Sequence, residues 1–251
     1  MAFAPSSTGG SVYLVDDAGD AGGPYQGLVL PGGGSISNSQ CTINGTGSSV
    51  SGSGNNLTLI LNITFSGAFS GNKVFYLSAQ DKTGANSGWQ ALGTWGVPGA
   101  AITGPGVGGV TPAHTSGSGQ TYTFTFTDTN GWQDISVANI LINTAIDGRH
   151  ACYLAFAPSA PSGGSLFLVD DAGDGGGPYQ GLVLPGAGSA SNSQCTVNAA
   201  GSTVSNSGDT LTLSLNMTFA STFAGNQLFF LAARSNTLNS NWQAVGTVSV
   251  P

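Results

Sequence analysis

The clearest pattern in the chain is an alternation of apolar and polar residues with a period of two. In residues 120–128 (QTYTFTFTD) threonines alternate with Tyr122, Phe124 and Phe126, and residues 210–219 (TLTLSLNMTF) repeat the pattern with mostly aliphatic side chains. Successive side chains of a strand point to opposite faces of the sheet, so each segment predicts a β-strand with one apolar face.

Shorter apolar segments, separated by Gly-, Pro- and Asn-rich turns, extend this prediction over the second half of the chain. They are residues 135–143, 151–157, 165–170, 181–184, 194–198, 227–232 and 244–250. No window has a helical period. About nine short strands with polar turns predict an all-β fold, most simply a β-sandwich. A β-helix would need a much shorter repeat.

The chain is built on an internal repeat. Residues 14–31 and 168–185 are identical at 17 of 18 positions, and residues 2–98 align with residues 155–251 at an offset of 153 or 154. Residues 99–154 have no earlier counterpart. The alignment predicts a partial module over residues 1–98, a linker or entry segment over 99–119 and a complete module over 120–251.

The partial module carries only the later strands of the sandwich. It lacks counterparts of residues 121–127, 135–143 and most of 151–157. We expect it to expose a hydrophobic groove and an unpaired sheet edge, which is a template for another strand. Completion in trans, by a neighbouring subunit or by upstream sequence, predicts a head-to-tail array that grows as a filament. The alternative is an arbitrary fragment boundary.

A set of segments in the complete module resembles a known kind of repeat. The segments are FTFTDTNGWQDISVANILINTAIDGRHACYL, LFLVDDAG, NSQCTVNAAGSTVSNSGDTLTLSLNMTF and NWQAVGT. Together they resemble the immunoglobulin-like β-sandwich repeat module of large secreted bacterial surface proteins. The resemblance implies tandem immunoglobulin-like modules with a non-catalytic structural or binding role, and it assigns no catalytic residue. The double-Asp VDDAGD loop and the missing first strands depart from that pattern.

Charge excludes several classes of partner. Only 6% of the residues are charged, the net charge is −7, and the cations are Lys73, Lys82, Arg149 and Arg234. Nucleic acid and anionic membrane surfaces need clustered cations, so neither is an expected partner. No apolar run approaches a bilayer span. A surface rich in Ser, Thr, Gly and Asn indicates an extracellular or cell-surface location.

The three cysteines fit the repeat. Cys152 and Cys195 lie in one module, and a disulfide between them would stabilise it by roughly 3–4 kcal/mol in a chain-entropy treatment. Cys41 is the counterpart of Cys195, so we expect it to be unpaired or intermolecular, near an incoming strand. The alternative is three buried thiols. Metal ligation by cysteine is unfavourable, because the chain has no CxxC motif and contains only two histidines.

The repeated aspartate loops are candidate cation sites. Asp16, Asp17 and Asp20, with their copies Asp170, Asp171 and Asp174, place three carboxylates on a glycine-rich turn that could hold Ca²⁺. The loop over residues 128–134 is a second candidate. The spacing is not that of an EF-hand, and turn capping explains single aspartates equally well. The chain has no Glu and no GxSxG motif, so we expect no enzyme activity.

Several tryptophans and tyrosines, together with glycosylation sequons, suggest contact with sugars. Trp89, Trp132 and Trp242, with Tyr25 and Tyr179, are candidates for a sugar-stacking platform, although isolated aromatics more often pack in a core. Candidate N-glycosylation sites are Asn44, Asn56, Asn62 and Asn216.

These features favour a structural repeat unit of an extracellular fibre, stalk or sheath that assembles head-to-tail, with strand complementation as one route of assembly. The alternative is an adhesin or carbohydrate-binding module. The expected partners are other copies of the chain and, for the alternative, glycans. A structural unit should form long regular assemblies, whereas a binding module should stay monomeric and be retained on a glycan column.

Overall fold

The computed structural model describes residues 1–20 and 22–251, and the described chain is all-β. It contains twenty strands and three one-turn 3₁₀ helices, at Gly67–Phe69, Trp132–Asp134 and Ser221–Phe223. The Cα positions cluster into two compact units. The first comprises Met1–Gly71 with Val97–Gly99, and the second comprises Asn72–Gly96 with Ala100–Pro251.

The first unit consists of two three-stranded antiparallel sheets. Its strands are β1 (Ala2–Ser6), β2 (Gly9–Val15), β3 (Tyr25–Leu30), β4 (Ser35–Ser37), β5 (Cys41–Ser53) and β6 (Asn56–Phe65). The sheet orders are β1-β2-β3 and β4-β5-β6. A small apolar cluster containing Val12, Leu30 and Ile43 joins the sheets.

The second unit contains a hairpin and two larger sheets. Its strands are β7 (Gly71–Leu77), β8 (Gln90–Val97), β9 (Pro105–Thr111), β10 (His114–Ser116), β11 (Gly119–Asp128), β12 (Val137–Asn143), β13 (Cys152–Ser159), β14 (Gly163–Val169), β15 (Tyr179–Leu184), β16 (Ser189–Ser191), β17 (Cys195–Ser207), β18 (Thr210–Phe219), β19 (Gly225–Arg234) and β20 (Gln243–Val250). The seven-stranded sheet has the order β10-β20-β19-β12-β13-β14-β15, and the five-stranded sheet has the order β16-β17-β18-β11-β9. Only the β10–β20 pair is parallel among the described pairings.

The two larger sheets share one hydrophobic core. Tyr122, Phe124 and Phe126 of β11 point into it, as their alternation with threonine predicts, and all three are at most 1% exposed. The opposite sheet contributes Phe229, whose ring centroid lies 4.9 Å from that of Tyr122. The second unit is therefore a β-sandwich, with the apolar face of each alternating strand turned inward.

Part of the segment that we expected to be a linker is folded. Residues 105–111 and 114–116 form β9 and β10, and β9 extends the five-stranded sheet beside β11. The segment shows no alternation of apolar and polar residues, because glycines stand in place of larger residues where it pairs with β11. A Cβ atom on Gly108 would lie 2.5 Å from the Thr125 hydroxyl oxygen.

The β7–β8 hairpin packs on the outer face of the seven-stranded sheet. Val74 and Ala91 of the hairpin form one apolar cluster with Leu228 and Ala244, among others. The Asn226 side-chain amide donates to the Gln90 side-chain carbonyl at 3.0 Å. Val74 and Leu228 are equivalent positions of the repeat, as are Ala91 and Ala244, so equivalent faces of the two copies meet here.

Candidate functional sites

An apolar strand face that is buried in the second copy is exposed in the first. The inward side chains of β18 are Leu211, Leu213, Leu215 and Met217, and each is 0% exposed. Their counterparts on β6 are Leu57, Leu59, Leu61 and Ile63. Leu57 is 55% exposed, and the other three are only partly buried. We call these four β6 residues the open face.

The open face follows from strand pairing. In the second unit, β18 lies between β17 and β11, whereas β6 is paired with β5 alone among the described strands. Similarly, β13 lies between β12 and β14, whereas β1 is paired with β2 alone among the described strands. Phe156 of β13 is fully buried, and its counterpart Phe3 on β1 is only partly buried. Apolar side chains that are buried in the second copy are therefore more exposed in the first.

The cysteines also differ between the copies. Cys152 on β13 is bonded to Cys195 on β17, with the Cα atoms 5.6 Å apart, so the disulfide joins the two sheets of the sandwich. Cys41 is a free, partly buried thiol, and burial raises its pKa above the ordinary value. A raised pKa leaves less thiolate near neutral pH, so Cys41 reacts more slowly than an exposed cysteine.

The structure does not support the calcium hypothesis for the aspartate loops. The Oδ1 atoms of Asp16, Asp20, Asp170 and Asp174 each accept a hydrogen bond from the backbone N–H two residues later, at 2.8–3.2 Å. This is the capping geometry of an Asx-turn.

The middle aspartate of each loop has a different role. Asp17 and Asp171 accept from the backbone N–H groups of Ser39 and Ser193, which ties each loop to the turn before the cysteine strand, β5 or β17. No group of three or more His, Cys, Asp or Glu side chains is arranged to hold a metal ion within the described part of the chain. The hydrogen bonds of these aspartates therefore stabilise the conformation of the loops.

One asparagine in each copy holds the loop before the cysteine strand, and its role was not predicted from the sequence. Asn192 donates to the carbonyls of Ala151 and Val169 at 2.8 and 3.1 Å, and its Oδ1 accepts from the N–H groups of Gln194 and Cys195. The NSQC motif, which both copies share, was the available signal.

Asn38 is the counterpart of Asn192, and it makes fewer hydrogen bonds. It donates to the Val15 carbonyl at 3.1 Å and accepts from the N–H groups of Gln40 and Cys41, both at 3.0 Å. Among the described residues, no hydrogen bond at Asn38 corresponds to the one from Asn192 to Ala151.

The five aromatic residues of the predicted sugar platform do not all come together. Trp132 is 8% exposed and belongs to the hydrophobic core, so it cannot offer a ring to a ligand. Trp89 and Tyr25 are exposed but lie outside the groove described next. Trp242 and Tyr179 line the same surface groove of the second unit.

This aromatic groove lies on the outer face of the seven-stranded sheet and has a volume of about 690 Å³. Its floor and walls come from alternate residues of β12, β13 and β14, from the start of β15, from the end of β19 and from two loops. The side chains that argue for a ligand are Tyr153, Phe167, Tyr179 and Trp242, with Asn139, Asp174, Arg234, Asn239 and Asn241.

The aromatic rings of the groove form two edge-to-face pairs. The Tyr153 and Trp242 ring centroids are 5.8 Å apart at 68°, and those of Phe167 and Tyr179 are 6.5 Å apart at 67°. Burial, followed by the nearby Tyr179, raises the pKa of the Tyr153 hydroxyl. That hydroxyl therefore stays protonated and donates to Asn139 Oδ1 at 3.5 Å.

The predicted glycosylation asparagines all lie on strands. Asn62 and Asn216, which are equivalent in the repeat, donate their side-chain amides to the carbonyls of Thr46 and Ala200 at 3.0 and 3.2 Å. Asn44 is partly buried on β5, and Asn56 is exposed at the start of β6. Asn56 and Asn62 are the exposed members of the four, and the Asn62 amide already donates to Thr46.

No family model, curated protein or solved structure matches the chain. Within the described residues, no helix has the length and apolar character needed to cross a bilayer. The features of the molecule that bear on its function are the open face, the disulfide and the aromatic groove.

Proposed function

We propose that this protein is a structural repeat unit of an extracellular fibre, stalk or sheath built from tandem immunoglobulin-like β-sandwich modules. The observation that carries the proposal is the open face, because its counterpart in the second copy is fully buried. The disulfide and the low charge support an extracellular location, where disulfides form and persist.

The second copy indicates which chemistry covers the open face. On β18 the equivalent side chains are flanked in the same sheet by those of β11, whose register places Tyr122 opposite Leu215 and Phe124 opposite Leu213. We therefore assign the open face of one chain to the strands equivalent to β11 and β12 of a neighbouring copy. Fully burying an exposed leucine contributes about 1.5–3 kcal/mol, and each of the partly buried Leu59, Leu61 and Ile63 adds a smaller amount to this driving force.

The proposed contact uses two different surfaces. The open face lies on β6, whereas the donor strands belong to the region that has no counterpart in the first copy. A contact between unlike surfaces is head-to-tail, and it grows into a filament unless its rotation closes a ring. Donation also requires the donor strands to leave their own module or to come from an additional copy of the repeat.

The test measures the association of the full chain over a concentration series, by light scattering and electron microscopy. We expect concentration-dependent, elongated assemblies. Leu57→Asp should abolish them, because it places a charge on the open face. Val29→Asp is the matched control, since Val29 and its counterpart Val183 are both about two-thirds exposed, at 66% and 67%.

A second arm supplies the missing strands within one chain. An additional copy of residues 99–154 is placed before Ala2, in place of Met1, so that the first module is completed internally. We expect the β6 amides to become protected from hydrogen exchange and the association to disappear. A monomeric parent chain whose β6 amides are already protected would contradict the proposal.

A further inference from the structure

The aromatic groove combines features that point to a ligand rather than to simple surface packing. Phe167 and Tyr179 are 38% and 45% exposed, although burial of a large aromatic ring would be energetically favourable. The volume of about 690 Å³ lies within the roughly 300–1,000 Å³ of typical ligand sites. Isolated exposed aromatics are ordinary, but two exposed rings that line one groove with the partly buried Tyr153 and Trp242 need an explanation.

The polar side chains define what kind of ligand fits. Asn139, Asn239 and Asn241 each offer an amide with two donors and an acceptor, which suits hydroxyl groups that also donate and accept. The Asp174 carboxylate accepts from the Gly176 N–H at 2.8 Å, so one of its oxygens is held in place by the turn. Aromatic faces beside such groups match a sugar, which has apolar C–H faces and a hydroxyl rim.

Charge selects between sugar classes. The groove has one cation, Arg234, and one anion, Asp174, while the whole chain carries a net charge of −7. An anionic polysaccharide would meet this negative field with little local compensation. The electrostatics therefore favour an uncharged saccharide.

The walls of the groove are held by backbone packing. Gly173, beside Asp174, lies so close to Gly148 that a Cβ atom would be 2.0 Å from the Gly148 carbonyl carbon. On the other side, Ser240 exchanges hydrogen bonds with Ala233, and Asn241 adopts a left-handed φ of 55°. A non-glycine residue in that region costs conformational energy and is often found at functional sites.

We propose that the aromatic groove binds an uncharged polysaccharide, with successive sugar rings stacked on the Tyr179–Phe167 pair and the Trp242–Tyr153 pair. The asparagine amides and Asp174 would hydrogen-bond to the sugar hydroxyls. Because all of these residues belong to the second unit, the site does not depend on completion of the first module.

The repeat supplies matched controls for the test. Tyr25 and Tyr13 are the first-copy counterparts of Tyr179 and Phe167, they are similarly exposed at 47% and 41%, and neither lines the groove. The full chain is titrated by calorimetry with cellohexaose, mannohexaose and xylohexaose, and with polygalacturonate as the anionic probe.

We expect at least one neutral hexasaccharide to bind. Tyr179→Ala and Phe167→Ala should each weaken it by roughly tenfold or more, as for truncated aromatic hot spots. Tyr179→Phe should retain binding because it keeps the ring, and Tyr25→Ala and Tyr13→Ala should change it by less than about twofold. Circular dichroism checks that each variant is folded.

Three results would overturn the proposal: no binding of any neutral probe, binding of polygalacturonate alone, or equal losses in the groove variants and their controls. The first result would indicate that the groove binds an apolar partner instead, such as the β7–β8 hairpin of another copy of the chain. The second would make Arg234 the centre of an anion site.

Discussion

The two copies of the repeat place the same side chains in different surroundings. Leu211 on β18 is fully buried, whereas Leu57 on β6 is 55% exposed, although both begin the same alternating strand. The alternation therefore specifies which face of a strand is apolar, and the neighbouring strands determine whether that face is buried. Each pair of equivalent residues is therefore an internal control.

The largest expected difference comes from the disulfide. Reduction of Cys152–Cys195, which are 43 residues apart, should lower the free energy of unfolding of the second unit by about 4 kcal/mol. The first unit should not change, because Cys41 is a free thiol. Hydrogen exchange with and without reductant, resolved for β5 and β17, measures both effects. Equal destabilisation of the two units would contradict the prediction that the disulfide stabilises only the second unit.

The open face predicts an unequal cost for equivalent truncations. Leu211→Ala should destabilise the second unit by about 2–5 kcal/mol because it leaves a cavity in a packed core. Leu57→Ala should cost less than about 1 kcal/mol in the monomer, because Leu57 is more than half exposed. Urea unfolding at low protein concentration tests the pair. A cost at Leu57 equal to that at Leu211 would mean that the open face is already covered.

The equivalent asparagines Asn192 and Asn38 predict a smaller difference in the free energy of unfolding. Asn192→Ala removes four hydrogen bonds, including the one to the Ala151 carbonyl, and Asn38→Ala removes three. One net hydrogen bond contributes about 0.5–1.5 kcal/mol, so Asn192→Ala should be the more destabilising by about that amount. Thermal unfolding of both variants gives the difference. An equal effect would show that the Ala151 bond adds nothing.

The smallest effect concerns an ion pair for which the first copy has no counterpart. Arg149 donates to both carboxylate oxygens of Asp147, which lowers the pKa of Asp147 from 3.8 to about 2. The contribution to stability is therefore present above pH 3.8 and is lost as the pH falls towards 2. Asp147→Asn should remove this pH dependence, and the effect should shrink with added salt because the pair is exposed. An NMR titration midpoint near 3.8 would contradict the contact.

The sequence predicted strands wherever alternation was strong, and the nine predicted strands of the second module are all present. It did not predict β9, because Gly106, Gly108 and Gly109 remove the side chains on which alternation depends. It left a cation site and turn capping as alternatives at the aspartate loops, where the carboxylates accept backbone N–H groups. Carboxylate spacing alone does not separate a turn cap from a metal site.

The groove was predicted only in part. Trp242 and Tyr179 were named as candidates, but Tyr153, Phe167 and the asparagines were not. These residues are far apart in the chain and meet because antiparallel pairing aligns β12, β13, β14 and β15 side by side. The outward positions of single strands carry no signal of which neighbours they will have.

The apolar cluster between the β7–β8 hairpin and the seven-stranded sheet has a consequence for how such a repeat changes over generations. Val74 and Leu228 occupy the same repeat position, as do Ala91 and Ala244, and all four share one cluster. A substitution copied from one repeat to the other by recombination therefore alters both sides of the contact at once. Small residues such as alanine tolerate this doubling, whereas an enlarged side chain would be added twice to the same confined space.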